Sequence, residues 1–216
     1  MLFLDSSIPE EIVEIGRWGV TSGVTTNPLI LSRECGNVEL EPQSRKILEV
    51  STGPVSVELL TDSFDEMLAE AECYYAWDRK RVCVKIPFGE TGLKVLHELA
   101  PRGVATNVTC MMSFNQMYLA ALAGATYLSI FMGRVRDMGY DALPIIHEVR
   151  SVLERESLPS RIIVGSIRHL MDVSEALQAG AHIVTVPPPI LRKMLWNPNT
   201  ELTIEQFNQA WKNRAE

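Results

Sequence analysis

Short apolar runs recur along this chain at regular intervals, and each is followed by a stretch long enough for a helix and its loops. We interpret these runs as eight strands, near residues 2–5, 23–26, 54–59, 81–86, 103–108, 126–131, 161–165 and 182–186. Eight alternating strand and helix units in 216 residues predict an α/β fold, a (β/α)8 TIM barrel. A doubly wound parallel sheet is the alternative.

Three of the intervening segments carry clear helix signals. The first spans Ser63 to Asp78, begins at the N-cap Ser63 and has Glu66 three residues later, as in a capping box. The other two cover residues 113–123 and 172–179, and each ends immediately before a glycine. The spacing of apolar residues in these segments predicts one buried helix face each.

A further helix is predicted after the eighth strand. It covers residues 203–213, is capped by Thr203, and places Ile204, Phe207 and Trp211 on one face. Leaving two large aromatic side chains in water is unfavourable, so we expect this face to pack on a neighbouring subunit. The alternative is that the helix folds back on its own barrel.

Composition excludes several classes of protein. There are 27 acidic and 20 basic residues, a formal charge of −7, and no basic stripe for nucleic acid. The N-terminal segment has no basic region before its apolar residues, so a signal peptide is not predicted, and no apolar run is long enough to span a membrane. The four cysteines lack metal-ligand spacing and predict reduced thiols in the cytoplasm. No His, Cys or Asp residues have metal-ligand spacing, and no Gly-rich nucleotide loop follows the first strand, so we expect neither a metal nor a cofactor.

Lys85 is embedded in an apolar strand, Val82 to Pro87. A buried ammonium group is costly unless it is paired or loses its proton, and the neutral amine is a nucleophile that can form a Schiff base with a carbonyl. The alternative is a lysine at the end of a strand whose ammonium group reaches solvent.

Polar residues stand at the ends of most predicted strands, where a barrel places its catalytic groups. They are Asp5, Thr25, Asn27, Glu58, Lys85, Asn107, Thr109, Ser129, Ser166 and Arg168. Alternation along the third strand directs Ser56 and Glu58 into the barrel, and Val55 and Val57 towards the helices. So many polar strand ends predict one shared pocket that includes Lys85.

A Schiff-base lysine needs a group that moves protons while water is lost, and a carboxylate acting through a held water can do this. We expect Glu58 and Thr109 to form that pair. Cleavage of a carbon–carbon bond needs a second base, and Asp5 is the candidate, with capping of the following turn or helix as its alternative. Asn27 and Asn107 can orient a polyol.

Two arginines follow late strands of the predicted barrel. Arg134 and Arg168, together with Ser166, predict a site for a terminal phosphate. The alternative is that each arginine forms a surface salt bridge. His169 lies next to this site, and we expect only a local role for it.

Several of these segments occur as motifs of a known family. The segments Gly23 to Pro28, Val84 to Pro87, Thr106 to Thr109, Ala121 to Gly133 and Gly165 to His169 resemble the small transaldolase family, which includes the fructose-6-phosphate aldolases. The similarity covers essentially the whole chain.

The resemblance implies one class I aldolase barrel over residues 1–216, in which Lys85 carries a dihydroxyacetone imine. It implies Asp5 as the base at the cleaved bond and Glu58 with Thr109 as the water-holding pair. It also implies that Asn27, Asn107 and Ser129 hold the dihydroxyacetone unit and that Arg134, Ser166 and Arg168 bind the phosphate. Thr25, at a strand end, and Phe131 are the further candidates for substrate contact. Sugar phosphates as substrates, a cytoplasmic homo-oligomer of five or ten subunits, and a place in pentose phosphate metabolism follow from the same resemblance.

Two positions separate transaldolases from fructose-6-phosphate aldolases in this resemblance. The chain has Glu58 and Phe131, the transaldolase residues, where the aldolases carry glutamine and tyrosine. Transfer of dihydroxyacetone is therefore the expected activity, with release of free dihydroxyacetone as the alternative. Departures at Ile130, at 88–89 and at 110–112 leave a sulfonated or longer-chain ketose open as donor. A sugar-phosphate-binding protein without catalysis is the non-enzyme alternative.

Overall fold

The computed structural model describes residues 1–214 and contains a closed barrel of eight parallel strands. The strands are β1 Leu2–Asp5, β2 Thr21–Thr25, β3 Val55–Glu58, β4 Val82–Pro87, β5 Thr106–Met111, β6 Tyr127–Phe131, β7 Arg161–Gly165 and β8 Ile183–Val186. Each strand pairs with the next along the chain, and β1 also pairs with β8. The predicted (β/α)8 barrel is confirmed, and the doubly wound alternative is wrong.

Helices surround the barrel. They are α1 Pro9–Gly16, α2 Pro28–Cys35, α3 Leu40–Val50, α4 Phe64–Trp77, α5 Glu90–Leu99, α6 Phe114–Leu122, α7 Met132–Asp137, α8 Ala142–Arg155, α9 Leu170–Gln178, α10 Pro188–Leu195 and α11 Pro198–Asn213. A short 3-10 helix, Ala100–Arg102, precedes β5. Over the described part of the chain, no helix combines the length and the apolar character needed to cross a membrane.

The predicted helix ends are largely confirmed. Ser63 caps α4, because its hydroxyl oxygen accepts from the backbone N–H of Glu66 and its O–H donates to the Glu66 carboxylate at 2.6 Å. Ser113 caps α6, because its hydroxyl oxygen accepts from the backbone N–H of Gln116 at 3.4 Å. Gly124 and Gly180 lie two residues after the last residues of α6 and α9, and both have positive φ.

Three predicted boundaries are wrong. The helix α9 begins at Leu170 rather than at residue 172, because His169 caps it in a capping box with Asp172. The helix α11 begins at Pro198, capped by Asn197, so Thr203 lies inside the helix and its hydroxyl donates to the Asn199 carbonyl at 2.7 Å. The strand β5 begins at Thr106 rather than at 103, because the residue at 103 is a glycine in the left-handed region that ends the short helix.

Side chains alternate between the barrel interior and the surrounding helices. Val55, Val57, Val82 and Val84 belong to the large apolar core between the barrel and the helices. Inside the barrel, Phe3, Ile163 and Ile183 form a separate apolar cluster against Tyr127. A Cβ on Gly23 would lie 2.7 Å from the Phe3 ring, so glycine makes room for that ring. This cluster closes the barrel below the polar residues at the carboxyl ends of the strands.

Two strand ends have strained backbone. The pairing of β5 with β6 shifts register between Val108 and Met111, and Cys110 within this bulge has φ of 61°. Ser166, directly after β7, has φ of 58°. Non-glycine residues adopt this region rarely, and such strain concentrates at functional sites. Both positions lie at the end of the barrel that carries the pocket described next.

Candidate active site

A pocket of about 520 Å³ opens at the carboxyl ends of the strands. Its lining includes these predicted site residues: Asp5, Thr25, Asn27, Glu58, Lys85, Ser129, Phe131, Arg134, Ser166 and Arg168. Asn107 and Thr109 are outside this lining and are fully buried on β5. The fold therefore brings most of the predicted site residues to one cavity.

Lys85 is buried at the base of this pocket, with 3% of its surface exposed. Glu58 and Asn107 are its register partners on β3 and β5. The Lys85 Nζ atom lies 2.8 Å from Oε2 of Glu58, and it donates to the carbonyl oxygen of Thr26 at 2.9 Å. The alternative of an ammonium group that reaches solvent is therefore wrong. A buried ammonium group needs the carboxylate beside it, because removal of that carboxylate leaves the charge uncompensated.

Buried polar atoms next to this pair lack hydrogen-bond partners. Within residues 1–214, Oδ1 of Asn107 and Oγ1 of Thr109 have no partner, and Oε2 of Glu58 contacts Nζ without an aligned hydrogen bond. The amide nitrogen of Asn107 is used, since it donates to Oγ of Ser56 at 3.1 Å. Buried polar atoms are nearly always satisfied, so these groups have capacity for a polar molecule such as a polyol or water.

Asp5 lies half-buried in the opposite wall of the pocket. Its Oδ1 accepts from Oγ1 of Thr25 at 2.8 Å, and that hydroxyl lies 2.5 Å from Oγ1 of Thr185. The N-cap of α1 is Ile8, without a side-chain cap, so helix capping by Asp5 is wrong. Burial raises the pKa of Asp5 to about 6, against the lowering effects of the Thr25 hydrogen bond and the Lys85 charge. A carboxylate with this pKa can take and return a proton near neutral pH.

Asn27 lines the pocket and also caps a helix. Its Oδ1 accepts from the backbone N–H of Ile30 at 2.9 Å and caps α2, whose first residue is Pro28. The side-chain oxygen is therefore occupied, and only the amide nitrogen can donate to a bound molecule.

Two arginines reach the far side of the pocket. Arg134 is exposed on α7, at the pocket rim. Arg168 forms a two-pronged ion pair with the carboxylate of Asp137, through Nη1 and Nη2. The salt-bridge alternative for Arg168 is thus confirmed, although the side chain still lines the pocket. Its remaining N–H groups can contact an anion while Asp137 holds the guanidinium plane.

A buried aspartate supports the backbone beside this arginine. Oδ2 of Asp172 accepts from the N–H groups of Arg168 at 2.8 Å and His169 at 2.9 Å. Its Oδ1 contacts the guanidinium of Arg136, which also pairs with Glu175 at 2.6 Å. His169 therefore has the local role predicted for it, as a helix cap.

The sequence did not point to four polar residues at or near the pocket: Arg33, Asp137, Asp172 and Thr185. Thr185 is the penultimate residue of β8, so the rule that located the other strand ends would have found it. Asp172 has the position of a capping-box acid. Asp137 lies 31 residues from its arginine, and Arg33 lies inside α2, so neither has a local signal.

No cluster of three or more His, Cys, Asp or Glu side chains placed to hold a metal ion occurs in residues 1–214.

Comparisons with known proteins agree with this geometry. A family model described as "Transaldolase/Fructose-6-phosphate aldolase" matches residues 2–216. The chain is 41% identical over 210 residues to a "Probable transaldolase" of Desulforudis audaxviator, covering 97% of this chain and 96% of the relative. It is 40% identical over 210 residues to a "Probable transaldolase 2" of Listeria monocytogenes, with 97% and 95% covered.

Among solved structures, the chain is similar to inosine 5′-monophosphate dehydrogenase from Legionella pneumophila, with a TM-score of 0.61 and 14% identity. The match covers 86% of this chain and 57% of that one. At this identity the likeness shows the barrel fold alone.

Proposed function

This chain belongs to the transaldolase/fructose-6-phosphate aldolase family, and from that premise we propose that it transfers a dihydroxyacetone unit from a ketose phosphate to an aldose phosphate through a Schiff base on Lys85. The observation that carries the proposal is the buried Lys85 ammonium beside the Glu58 carboxylate at the base of a pocket. A protein that only bound sugar phosphates would have no need of a buried amine.

Formation of the imine begins when Glu58 takes a proton from the Lys85 ammonium, through the 2.8 Å contact between them. The neutral amine attacks the ketone carbon, and the carbonyl oxygen becomes the hydroxyl of a carbinolamine. Glu58, through a water held with the buried Thr109 hydroxyl, returns a proton to that hydroxyl, which leaves as water. The unpartnered Thr109 oxygen supports this role.

Cleavage then uses Asp5 as base. Its carboxylate takes the proton from the hydroxyl on the fourth carbon of the sugar, the bond between the third and fourth carbons breaks, and its electrons form an enamine on Lys85. The aldose leaves as an aldehyde. When an acceptor aldehyde enters, the enamine attacks it and Asp5 returns the proton to the new alkoxide. The pKa of Asp5 near 6 supports both directions.

Binding of the sugar is proposed for the remaining groups. The amide nitrogen of Asn27, Oδ1 of Asn107 and the hydroxyl of Ser129 would hold the dihydroxyacetone unit. Arg134, Ser166 and Arg168 would hold the terminal phosphate. We assign Thr25 to hold Asp5 rather than to contact the substrate, because its hydroxyl already hydrogen-bonds to Asp5 and Thr185.

Release of free dihydroxyacetone is the second candidate activity, and Phe131 at the pocket wall argues against it. A tyrosine hydroxyl there could deliver the proton that frees the enamine, whereas phenylalanine cannot. We expect Phe131→Tyr to increase release of dihydroxyacetone relative to transfer. The measurement is the product ratio with and without acceptor aldehyde, and an unchanged ratio would mean that residue 131 only packs.

The main test is chemical trapping of the imine. Wild-type protein incubated with fructose 6-phosphate and borohydride should gain the mass of a reduced dihydroxyacetone adduct, and Lys85→Met should not. Lys94→Met is the matched control, because Lys94 is an exposed lysine that pairs with Glu90 at 2.7 Å. An equal mass gain in Lys85→Met would show that Lys85 is not the residue that forms the imine. A parallel screen with sulfonated and longer-chain ketoses identifies the donor.

The proposal includes a cytoplasmic homo-oligomer. The four cysteines are free thiols. Every residue of α11 is at least partly exposed, including Phe207 at 70% and Trp211 at 63%. The apolar face of α11 therefore does not pack on its own barrel, which supports a second copy of this chain as its partner.

A further inference from the structure

Asp5 lies at one end of a row of three hydrogen-bonding side chains. Asp5 is on β1, Thr25 on β2 and Thr185 on β8, the two strands that flank β1. The oxygens are 2.8 Å apart between Asp5 and Thr25, and 2.5 Å apart between Thr25 and Thr185. Both threonines are buried, with 3% and 4% of their surfaces exposed. Solvent therefore does not compete for these contacts.

The direction of the two hydrogen bonds follows from the number of protons. A threonine hydroxyl carries a single proton, and an ionised carboxylate only accepts. When Asp5 is ionised, the proton of Thr25 must point to Oδ1 of Asp5. The contact between the two threonines must then be donated by Thr185.

The methyl group and the hydroxyl of Thr185 point to different neighbouring strands. A Cβ on Gly165 would lie 3.4 Å from Cγ2 of Thr185, so the methyl group faces β7. The hydroxyl faces the other way, across β1 towards Thr25. Because β-branching restricts χ1 of threonine, the directions of the methyl group and of the hydroxyl are set together.

We propose that Thr185 is a positioning residue for Asp5, whose hydroxyl keeps the Thr25 proton directed to Oδ1 and leaves Oδ2 to take the proton of the substrate hydroxyl. This role rests on the proposed aldol chemistry of Asp5. In the cleavage step the substrate proton moves to Oδ2, while the hydrogen bonds from Thr185 to Thr25 and from Thr25 to Oδ1 stay as they are. The chain of hydroxyls thus stabilises the ionised form that acts as base.

Other charges also act on Asp5. Lys85 on β4 and Arg33 on α2 favour the ionised carboxylate, and Glu34 on α2 opposes it. A change at Thr185 leaves all three in place. A shift in the titration midpoint of Asp5 caused by a substitution at Thr185 would therefore measure the effect of the two hydroxyl groups alone.

The test uses the full chain and Thr185→Val, which keeps the shape and removes the hydroxyl. The Asp5 carboxyl is followed by ¹³C NMR against pH, with its signal identified by its loss in Asp5→Asn. We expect the midpoint in Thr185→Val to move to higher pH by about half a unit, roughly threefold in the protonation constant, and the acid limb of kcat/KM to move with it. Thr185→Ser, which keeps the hydroxyl, should return the midpoint towards that of the wild type.

A double variant separates positioning from packing. Thr25→Val should shift the midpoint at least as far as Thr185→Val, and adding Thr185→Val to it should cause no further shift. The inference is overturned if Thr185→Val leaves the midpoint unchanged, if Thr185→Ser behaves like valine, or if the two shifts add. The NMR titration needs no substrate, so it decides this point even if the wild-type protein shows no transferase activity.

Discussion

At the residue scale, the Asp5 carboxylate makes the fold less stable at neutral pH. Its pKa is about 6 in the folded protein and 3.8 when unperturbed, mainly because burial disfavours the charge. The folded state therefore binds more protons than the unfolded state between these two values. The unfavourable contribution of Asp5 to the free energy of folding is absent below pH 3.8, where the carboxyl is protonated in both states. It reaches its full size as the pH rises through 6.

We therefore predict that Asp5→Asn abolishes transfer and stabilises the protein at pH 8. The expected gain is about 1 to 2 kcal/mol, reduced from the full linkage value because Asp5 is half-buried, and it should vanish near pH 4. Thermal and denaturant unfolding at both pH values measure it. Asp62→Asn, at an exposed acid, is the control. A gain of equal size at pH 4 and pH 8 would contradict the argument.

The pair between Arg168 and Asp137 predicts unequal effects of the two arginines. Arg168→Ala removes a cation and also leaves the Asp137 carboxylate uncompensated next to the proposed phosphate site. We expect Arg134→Ala to raise KM for fructose 6-phosphate about tenfold and Arg168→Ala to raise it further, with little effect on unphosphorylated substrates.

Asp137→Asn provides the check on this explanation. Combined with Arg168→Ala, it should recover part of the lost affinity, because it removes the repulsive charge. Kinetics with phosphorylated and unphosphorylated donors measure the difference. If the double variant is no better than Arg168→Ala, repulsion by Asp137 is not the cause of the larger effect.

At the element scale, α7 and the segment after β7 approach so closely that only glycine fits between them. A Cβ on Gly133 would overlap the carbonyl oxygen of Ser166 and lie 2.8 Å from Nε of Arg168. We predict that Gly133→Ala displaces this segment, raises KM for phosphorylated donors about tenfold, and destabilises the protein by about 1 to 3 kcal/mol.

The control for this variant is Gly16→Ala, because a Cβ there meets no atom within 4 Å. Unfolding and kinetics are measured for both variants. Unchanged use of phosphorylated donors by Gly133→Ala would show that the segment after β7 can move without loss of phosphate binding.

At the scale of the whole molecule, α11 is an amphipathic helix in which no residue from Pro198 to Asn213 is buried. We predict that a chain ending at Asn197, and the variant Phe207→Ser/Trp211→Ser, both form smaller assemblies than the wild type. Size-exclusion chromatography with light scattering gives the masses, and Gln206→Ser on the same helix is the control. An unchanged mass in both cases would show that α11 does not join the subunits.

The architecture of this protein could be predicted from local patterns. Strand pleating and helical turns impose periods of two and 3.6 residues, so apolar runs and caps such as Ser63 and Ser113 carry their own structural signal. Barrel enzymes place their sites at the carboxyl ends of the strands, and from this rule the sequence predicts that Asp5, Glu58 and Lys85 share one pocket. The structure confirms that placement. Their catalytic roles remain a prediction.

Contacts between distant residues were decided only by the tertiary structure. Thr185 lies 160 residues from Thr25, and Asp137 lies 31 from Arg168, so no periodic pattern connects either pair. The sequence by itself determined the barrel and most of the polar side chains at its mouth, because these depend on backbone geometry that repeats locally. Which oxygen accepts which proton, and which arginine is already paired, depended on how strands and helices far apart in the chain pack within a few ångströms of one another.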